Sequence, residues 1–195
     1  MPFGFYIIMA AQFFSALADN ALLIAAIAAL REMQAPSEYE PLLKTFFTVS
    51  YVLLAAFVGA FADSMPKWRV MFISNSIKIV GCAMMFFMVH PLVAYAVVGL
   101  GAAAYSPAKY GILTEYLPPR LLVVANGWIE GLTVGAIILG VVLGGTLIKP
   151  DIAQSLLAFD LPVIDTGIDT VGEMVIGIVG ILYIVAAIFN LYVPD

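Results

Sequence analysis

The sequence has few of the residues that usually carry metal or covalent chemistry. It contains one cysteine, Cys82, and one histidine, His90, in 195 residues. A lone cysteine inside an apolar run provides neither a disulfide framework nor a Cys/His metal cluster, and His90 has no second ligand at metal-binding spacing. We also find no Ser/His/Asp or Cys/His arrangement of the kind that nucleophilic catalysis needs. We therefore expect no enzymatic activity, no metal site and no cofactor.

Charged residues are equally scarce, and no basic stripe is present. They make up 11% of the chain, whereas charged residues average about 25% in soluble domains. Hydrophobic residues make up 64%, against an average of about 45–50%. The net charge of −5 comes from acids that cluster in loops, so nucleic-acid binding is not expected. The first apolar run is too long for a cleavable signal and lacks a basic segment before it. An integral membrane protein is the class that this composition indicates.

The first apolar run, from Phe3 to Leu30, contains a single ionised side chain, Asp19, followed by Asn20. A helix of this length crosses a hydrocarbon core of roughly 30 Å, which places Asp19 near the middle of the bilayer. At 100° per residue Gln12, Ser15 and Asp19 share one face. A carboxylate at that depth costs at least about 2.5 kcal/mol unless it is paired, hydrated or protonated. The stripe predicts a functional site that faces protein or water, and a purely structural polar patch is the alternative.

Six apolar runs are long enough to cross a bilayer, and the loops between them hold most of the prolines and charges. We predict membrane spans at about residues 3–30, 44–62, 70–89, 92–117, 126–148 and 172–193. Residues 31–41 are predicted to form a loop, and the apolar stretch 152–163 is predicted to lie at the membrane interface. The fold class is therefore an all-α transmembrane six-helix bundle with both ends on one side. Lys and Arg are evenly divided between the two faces, although their density favours a cytoplasmic loop at residues 63–69.

The fifth run carries glycines at four-residue spacing. Gly127, Gly131 and Gly135 form one series, and Gly140 and Gly144 form a second. Association of helices in lipid depends on close packing, so a small residue every fourth position indicates an edge that another helix approaches. This packing role is expected whatever the function.

Three further charges lie inside the predicted spans. At 1.5 Å per residue Lys78 and Lys109 lie roughly 9–12 Å from one membrane face, and Glu130 is shallower. We expect Lys78 and Glu130 to pair and hold their helices together. Lys109 follows Pro107, which kinks its helix and frees a backbone carbonyl that protein or water must satisfy. Lys109 is expected either to lie in a cavity shared with Asp19 or to extend its ammonium toward the membrane surface.

The connection between the second and third spans carries a recognisable motif. Gly59 and Asp63, followed by Lys67 and Arg69, resemble the loop between the second and third helices of the major facilitator superfamily. Gly59 would allow close helix approach, and Asp63 would accept hydrogen bonds at the membrane edge. The basic residues would hold the hairpin on the anionic cytoplasmic side. We interpret this group as a conformational latch.

A more specific resemblance comes from three segments taken together, residues 12–21, 101–113 and 125–127. They are similar to the lysophospholipid transporters of Gram-negative inner membranes, a branch of the major facilitator superfamily, and the similarity covers nearly the whole chain. The resemblance implies that residues 1–195 are the amino-terminal half, with a 3+3 inverted repeat and with a carboxy-terminal half missing. It implies movement of lysophospholipids for re-acylation by an acyl-carrier-protein-dependent acyltransferase. It also places both ends of this segment in the cytoplasm.

The resemblance further implies a site in which Asp19 faces a head-group amine and Lys109 a phosphate. The predicted substrate-binding residues are Asp19, Asn20, Lys109, Gln12, Ser15 and Tyr105. An aromatic residue such as Tyr105 more often packs than binds. Two other functions remain open. One is a superfamily carrier of a small polar solute or drug, which predicts a closed lateral wall where a lipid substrate predicts a sideways opening. The other is a non-transporting membrane scaffold.

Overall fold

The computed structural model describes residues 1–157 and 170–193, and every regular element in those ranges is a helix. The helices are α1 (Phe3–Glu32), α2 (Tyr39–Asp63), α3 (Lys67–Phe86), α4 (Pro91–Tyr116), α5 (Pro119–Leu147), α6 (Pro150–Leu157) and α7 (Val171–Leu191). All except the short α6 are long and apolar enough to cross a membrane. The predicted all-α six-helix fold is confirmed.

Proline and capping residues determine where the helices begin. Helices α4, α5 and α6 each begin at a proline, and α3 begins directly after one. A proline in the first turn lacks an N–H that would have no partner there anyway, so it starts a helix without loss. Helix α7 begins with a capping box: the Thr170 hydroxyl accepts from the backbone N–H of Glu173, and the Glu173 carboxylate accepts from that of Thr170.

The helices extend beyond several of the predicted apolar spans. Residues 31–41 do not form one continuous loop, because α1 continues to Glu32 and α2 already begins at Tyr39. A bidentate ion pair between Arg31 and Glu40, at 2.8 and 3.1 Å, ties these two helix ends together. Hydropathy marks only the part of a helix that lipid can surround, so it misses such polar ends. Of the predicted interfacial stretch, α6 covers residues up to Leu157, and residues 158–163 lie outside the described ranges.

Helix packing follows an internal repeat. Helices α2 and α3 pack on α4 in the same way that α5 and α7 pack on α1, and α3 packs on α7. Exchanging α1, α2 and α3 with α4, α5 and α7 leaves this scheme unchanged. Each spanning helix runs antiparallel to the preceding one, and α4 is the third spanning helix after α1. The two halves of the repeat therefore run in opposite directions. The bundle therefore has the predicted 3+3 inverted arrangement, with α1 and α4 at its centre.

Two glycines of α5 lie directly against the backbone of α1. A Cβ added at Gly140 would lie 2.5 Å from the Leu17 carbonyl oxygen, and one at Gly144 would lie 3.0 Å from that of Ala21. These positions confirm the close approach predicted for the second glycine series. No other described helix approaches the remaining glycines of this prediction, because no atom of another helix lies within 4 Å of an added Cβ at Gly59, Gly127, Gly131 or Gly135. Close helix approach at these four positions stays a prediction.

The apolar core consists of two large parts along the bundle axis and a small cluster of Ala16, Leu17 and Ala136 between α1 and α5. One part, at the end where α1 connects to α2, includes Leu22, Leu30, Val98 and Tyr183. The other part, at the opposite end, includes Phe5, Ile8, Val70, Leu113 and Ile129. Between them lies a polar layer, which we define as Gln12, Ser15 and Asp19 of α1, Asn75 and Lys78 of α3, and Lys109 of α4. All but Asp19 are buried. This layer contains the candidate site.

Helices α2 and α5 are the least covered spans. In the most apolar 18-residue stretch of each helix, 11% of the residues of α2 and 22% of those of α5 are buried, whereas 67% are buried in α4. Large apolar side chains therefore face outward, among them Val52, Leu53 and Phe57 of α2 and Val123 of α5. In a membrane protein such faces contact lipid or another group of helices.

Candidate functional site

The acid of the first helix is paired with a lysine of the third. Lys78 Nζ donates to Asp19 Oδ2 at 2.7 Å and to the Ser15 hydroxyl at 2.9 Å. Ser15 in turn donates to Asn75 Oδ1 at 2.8 Å. Taking two charges out of water is costly, and such a pair persists only when hydrogen bonds satisfy its remaining groups. The chain of contacts from Asn75 to Asp19 meets that requirement and joins α1 to α3.

Three tyrosines surround this pair. Tyr183 of α7 donates to Asp19 Oδ1 at 2.8 Å, and Tyr95 of α4 donates to the Asp19 backbone carbonyl at 3.2 Å. The Lys78 ammonium also lies 5.3 Å and 5.9 Å from the ring centroids of Tyr105 and Tyr183, within reach of a cation–π interaction. Asp19 is thus held by α1, α3, α4 and α7 together.

The pair borders a cavity of about 260 Å³ between α1, α2, α4 and α5. All six residues predicted to bind substrate line it: Gln12, Ser15, Asp19, Asn20, Tyr105 and Lys109. Polar residues of neighbouring helices complete the wall, and Gln12 donates to Thr133 of α5 at 3.0 Å. The structure therefore brings the predicted residues together, and their role in binding stays a prediction.

Lys109 differs from Lys78 in having no counter-ion. It is 7% exposed, and among the described residues its ammonium makes neither a hydrogen bond nor an ion pair. Its Nζ lies 4.5 Å from the ring centroid of Tyr110, whose hydroxyl donates to Glu130 at 2.5 Å. A buried cation that has a ring face and forms no direct ion pair among the described residues is suited to bind an anionic group that enters the cavity.

The predicted pair between Lys78 and Glu130 is wrong. Lys78 is on the inward face of α3 and pairs with Asp19, whereas Glu130 is exposed on α5 and bonds to Tyr110. Helix α3 packs on α4 and α7, and α5 packs on α1, so the two residues are on elements that are not neighbours in the main packing scheme. Charge sign and depth suggested the pair, but neither gives the direction in which a side chain points.

With this geometry established, comparison with known proteins identifies the family. The Major Facilitator Superfamily profile matches residues 8–195, nearly the whole chain. The chain belongs to this superfamily. The six-helix inverted-repeat bundle described above is therefore the superfamily's fold in this protein.

Individual relatives are more specific. The lysophospholipid transporter LplT of Yersinia enterocolitica is 39% identical over 191 residues, which are 98% of this chain and 42% of that protein. The lysophospholipid transporters LplT of Yersinia pestis (strain Pestoides F) and of Yersinia pseudotuberculosis serotype O:3 are each 40% identical over 187 residues, covering 96% of this chain and 41% of theirs. These matches confirm the similarity inferred from the sequence motifs. The chain spans about two fifths of the length of the curated relatives it matches.

The residues of the superfamily motif lie at the opposite end of α2 from the α1 connection. Lys67 Nζ donates to Asp63 Oδ1 at 2.6 Å and to the Ala62 carbonyl at 2.9 Å, and it lies 3.5 Å from a carboxylate oxygen of Glu115 on α4. Arg69 instead extends over the Trp68 ring, with 5.1 Å between its Cζ and the ring centroid. The motif therefore links the ends of α2 and α4, and its role as a latch stays a prediction.

Sequence reasoning missed several polar cavity residues, Lys44, Tyr51, Tyr95, Ser106 and Thr133, and the tyrosine of α7 that holds Asp19. Tyr183 occurs in the middle of the most apolar span, and a phenolic hydroxyl there requires a partner, which was the available signal. Thr133 and Lys44 both line the cavity, one from α5 and one from α2. Lys44 is the first residue of the predicted second span, 44–62, and a charge at the edge of an apolar run carries no signal of a cavity.

Proposed function

We propose that this chain forms the amino-terminal six-helix half of a transporter that moves lysophospholipids across the bacterial inner membrane, where an acyltransferase re-acylates them. The observation that carries the proposal is the cavity at mid-span, which holds the carboxylate of Asp19 and the ammonium of Lys109, the latter without an ion pair to any described residue. The names of the relatives and their match to nearly all of this chain supply the substrate class.

In this proposal the head group of the lysophospholipid occupies the cavity. Its phosphate pairs with Lys109, which has a ring face behind it and forms no direct ion pair among the described residues, Glu130 being bonded to the Tyr110 hydroxyl instead. The head-group amine meets Asp19, whose two oxygens each carry one hydrogen bond and have further lone pairs available. Asn20, Gln12, Ser15 and Tyr105 complete the polar wall as binding residues.

Alternating access requires a second six-helix bundle that rocks against this one around the cavity. We propose that a carboxy-terminal half supplies it, which agrees with the greater length of the relatives. The uncovered faces of α2 and α5 are the surfaces that the carboxy-terminal half and lipid can contact. Gly59, Asp63, Lys67 and Arg69 would then act as a latch against that half, with both ends of this segment in the cytoplasm.

A carrier of a small polar solute is the second candidate, because a cavity of about 260 Å³ is small. Pockets for drug-sized ligands usually measure about 300–1,000 Å³. A lysophospholipid fits only if its acyl chain stays outside, whereas a small polar solute fits whole.

Uptake of labelled lysophosphatidylethanolamine by proteoliposomes that contain the full-length transporter tests the proposal. We expect saturable uptake that unlabelled lysophospholipid inhibits and that Lys109→Ala and Asp19→Ala each abolish. The matched control Lys149→Ala changes an exposed lysine away from the cavity and should leave uptake unchanged. Inhibition by free glycerophosphoethanolamine as strong as by the lysophospholipid would favour the small-solute carrier, and absence of uptake by the wild type would reject lysophospholipid transport.

A further inference from the structure

A second lysine without a counter-ion reaches the cavity from α2. Lys44 lines the same cavity as Lys109, and with the described residues its ammonium makes neither a hydrogen bond nor an ion pair. The two lysines are at different heights. Helices α2 and α4 start side by side, with 5.9 Å between the ring centroids of Tyr39 and His90, and run in the same direction. At 1.5 Å per residue Lys44 and Lys109 stand roughly 20 Å apart along the bundle, with Asp19 on the cavity wall between them.

Lys44 also borders a shallow groove on the outer face of its own helix. We define the α2 groove, of about 300 Å³, by its lining residues Lys44, Thr45, Thr48, Val49 and Val52. These residues follow the helical spacing of one face. Val52 is 72% exposed, and Leu53 and Phe57 continue the apolar surface toward the other end of α2. Lys44 is thus the residue shared by a polar cavity and an apolar groove.

The dimensions and charges of these two spaces match the two parts of a single-chain phospholipid. The cavity is lined mostly by polar residues and is too small for a whole lipid, and the groove offers a mainly apolar surface on the uncovered outer face of α2. A lysine at the water–lipid boundary places its stem along apolar surface and its ammonium among polar groups. The phosphate joins the head-group alcohol to the glycerol that carries the acyl chain, so it lies next to the junction of the polar and apolar parts.

From this continuity we infer that Lys44 is a phosphate-binding residue for a single-chain phospholipid, at the end of the cavity opposite Lys109. The head group enters the cavity past Lys44 while the acyl chain lies in the α2 groove. The inference rests on the proposed function and adds to it a first docking position and a route for the chain. Lys44 and Lys109 would hold the phosphate in turn as the head group passes Asp19.

The test measures concentration-dependent uptake of labelled lysophosphatidylethanolamine by the full-length transporter in proteoliposomes. We expect Lys44→Gln to raise the half-saturating concentration roughly tenfold, as loss of a charge-assisted hydrogen bond does, without lowering the maximal rate. Lys44→Arg should restore the wild-type value, because it keeps the charge. Lys149→Gln is the matched control, since Lys149 is exposed near the same end and does not line the cavity. Equal half-saturating concentrations for Lys44→Gln and Lys149→Gln would overturn the inference while uptake itself upholds the proposed function.

A second measurement locates the acyl chain without relying on transport. A lysophosphatidylethanolamine with a photoreactive acyl chain should label the α2 groove in the wild type and in Lys149→Gln, and much less in Lys44→Gln. Excess glycerophosphoethanolamine, which has the phosphate but no chain, should compete poorly. Absence of labelling in the groove, or equally strong competition by the chainless compound, would reject the groove as the chain's position. If the wild type transports no lysolipid, the proposed function fails, and this labelling result alone decides whether Lys44 docks a single-chain phospholipid.

Discussion

Asp19 on α1 and Lys78 on α3 form an ion pair with 2.7 Å between Oδ2 and Nζ, and the pair lies between the two apolar parts of the core. Their side chains are 15% and 3% exposed, so water screens them little. The pair makes the middle of the bundle polar without leaving a net charge there. Lys109 and Lys44, on the same cavity, are then the cations that form no ion pair among the described residues.

Breaking this pair from one side should destabilise the bundle. Lys78→Ala leaves the Asp19 carboxylate without its counter-ion at mid-span, and loss of one partner of a buried pair costs about 3–5 kcal/mol. We expect a clear fall in the thermal unfolding temperature in detergent. Removing both charges with Asp19→Asn and Lys78→Met should recover most of the stability and still give no uptake. A double variant as unstable as Lys78→Ala would contradict this account.

The same substitution at two of the three lysines that line the cavity should separate stability from transport. Lys78→Gln removes a paired cation, whereas Lys109→Gln removes one that has no counter-ion among the described residues. We expect Lys109→Gln to abolish lysophospholipid uptake with an unfolding temperature equal to or above that of the wild type, because a buried unpaired charge is relieved. Lys78→Gln should lower both. Similar destabilisation by the two variants would show that Lys109 has a structural partner.

Close packing between α1 and α5 gives a prediction with a control on the same helix. An alanine Cβ at Gly140 would lie 2.5 Å from the Leu17 carbonyl oxygen, a backbone atom that can move only with α1. Gly140→Ala should therefore destabilise the protein by about 1–3 kcal/mol, the usual cost of overpacking. Gly135→Ala adds its Cβ to open space in the described bundle and should be neutral or slightly stabilising. Thermal unfolding of the two full-length variants measures the difference.

The sequence was sufficient for the membrane class, the six spans and six of the residues that line the cavity. The cavity residues were predictable because intramembrane polar groups must face protein or water, and Gln12, Ser15 and Asp19 share one helical face. Their convergence with Lys109 and Tyr105 was predictable through resemblance to the superfamily.

Partners across the bundle could not be predicted in the same way. Lys78 was assigned to Glu130 on sign and depth, but a rotation of α3 about its axis decides whether it meets Asp19 instead. Glycine spacing likewise identified an approachable edge on α5, yet only Gly140 and Gly144 meet a helix within the described residues. Pairing depends on which faces of distant helices are neighbours, and that information is set by the packing of the whole bundle.

The contacts of Lys67 give a final prediction, which concerns the proposed latch. Lys67 is 9% exposed but its partners Asp63 and Glu115 are 79% and 62% exposed, so the ion pairs are open to water and should contribute only about 0–1 kcal/mol to stability. If the group acts as a latch, Lys67→Gln should change the rate of lysophospholipid uptake several-fold while the unfolding temperature moves little. Arg31→Gln is the control: it breaks an exposed ion pair, with Glu40, at the other end of the bundle, and it should leave the uptake rate unchanged. Uptake by Lys67→Gln at the wild-type rate would show that the Asp63, Lys67 and Glu115 contacts only tie α2 to α4.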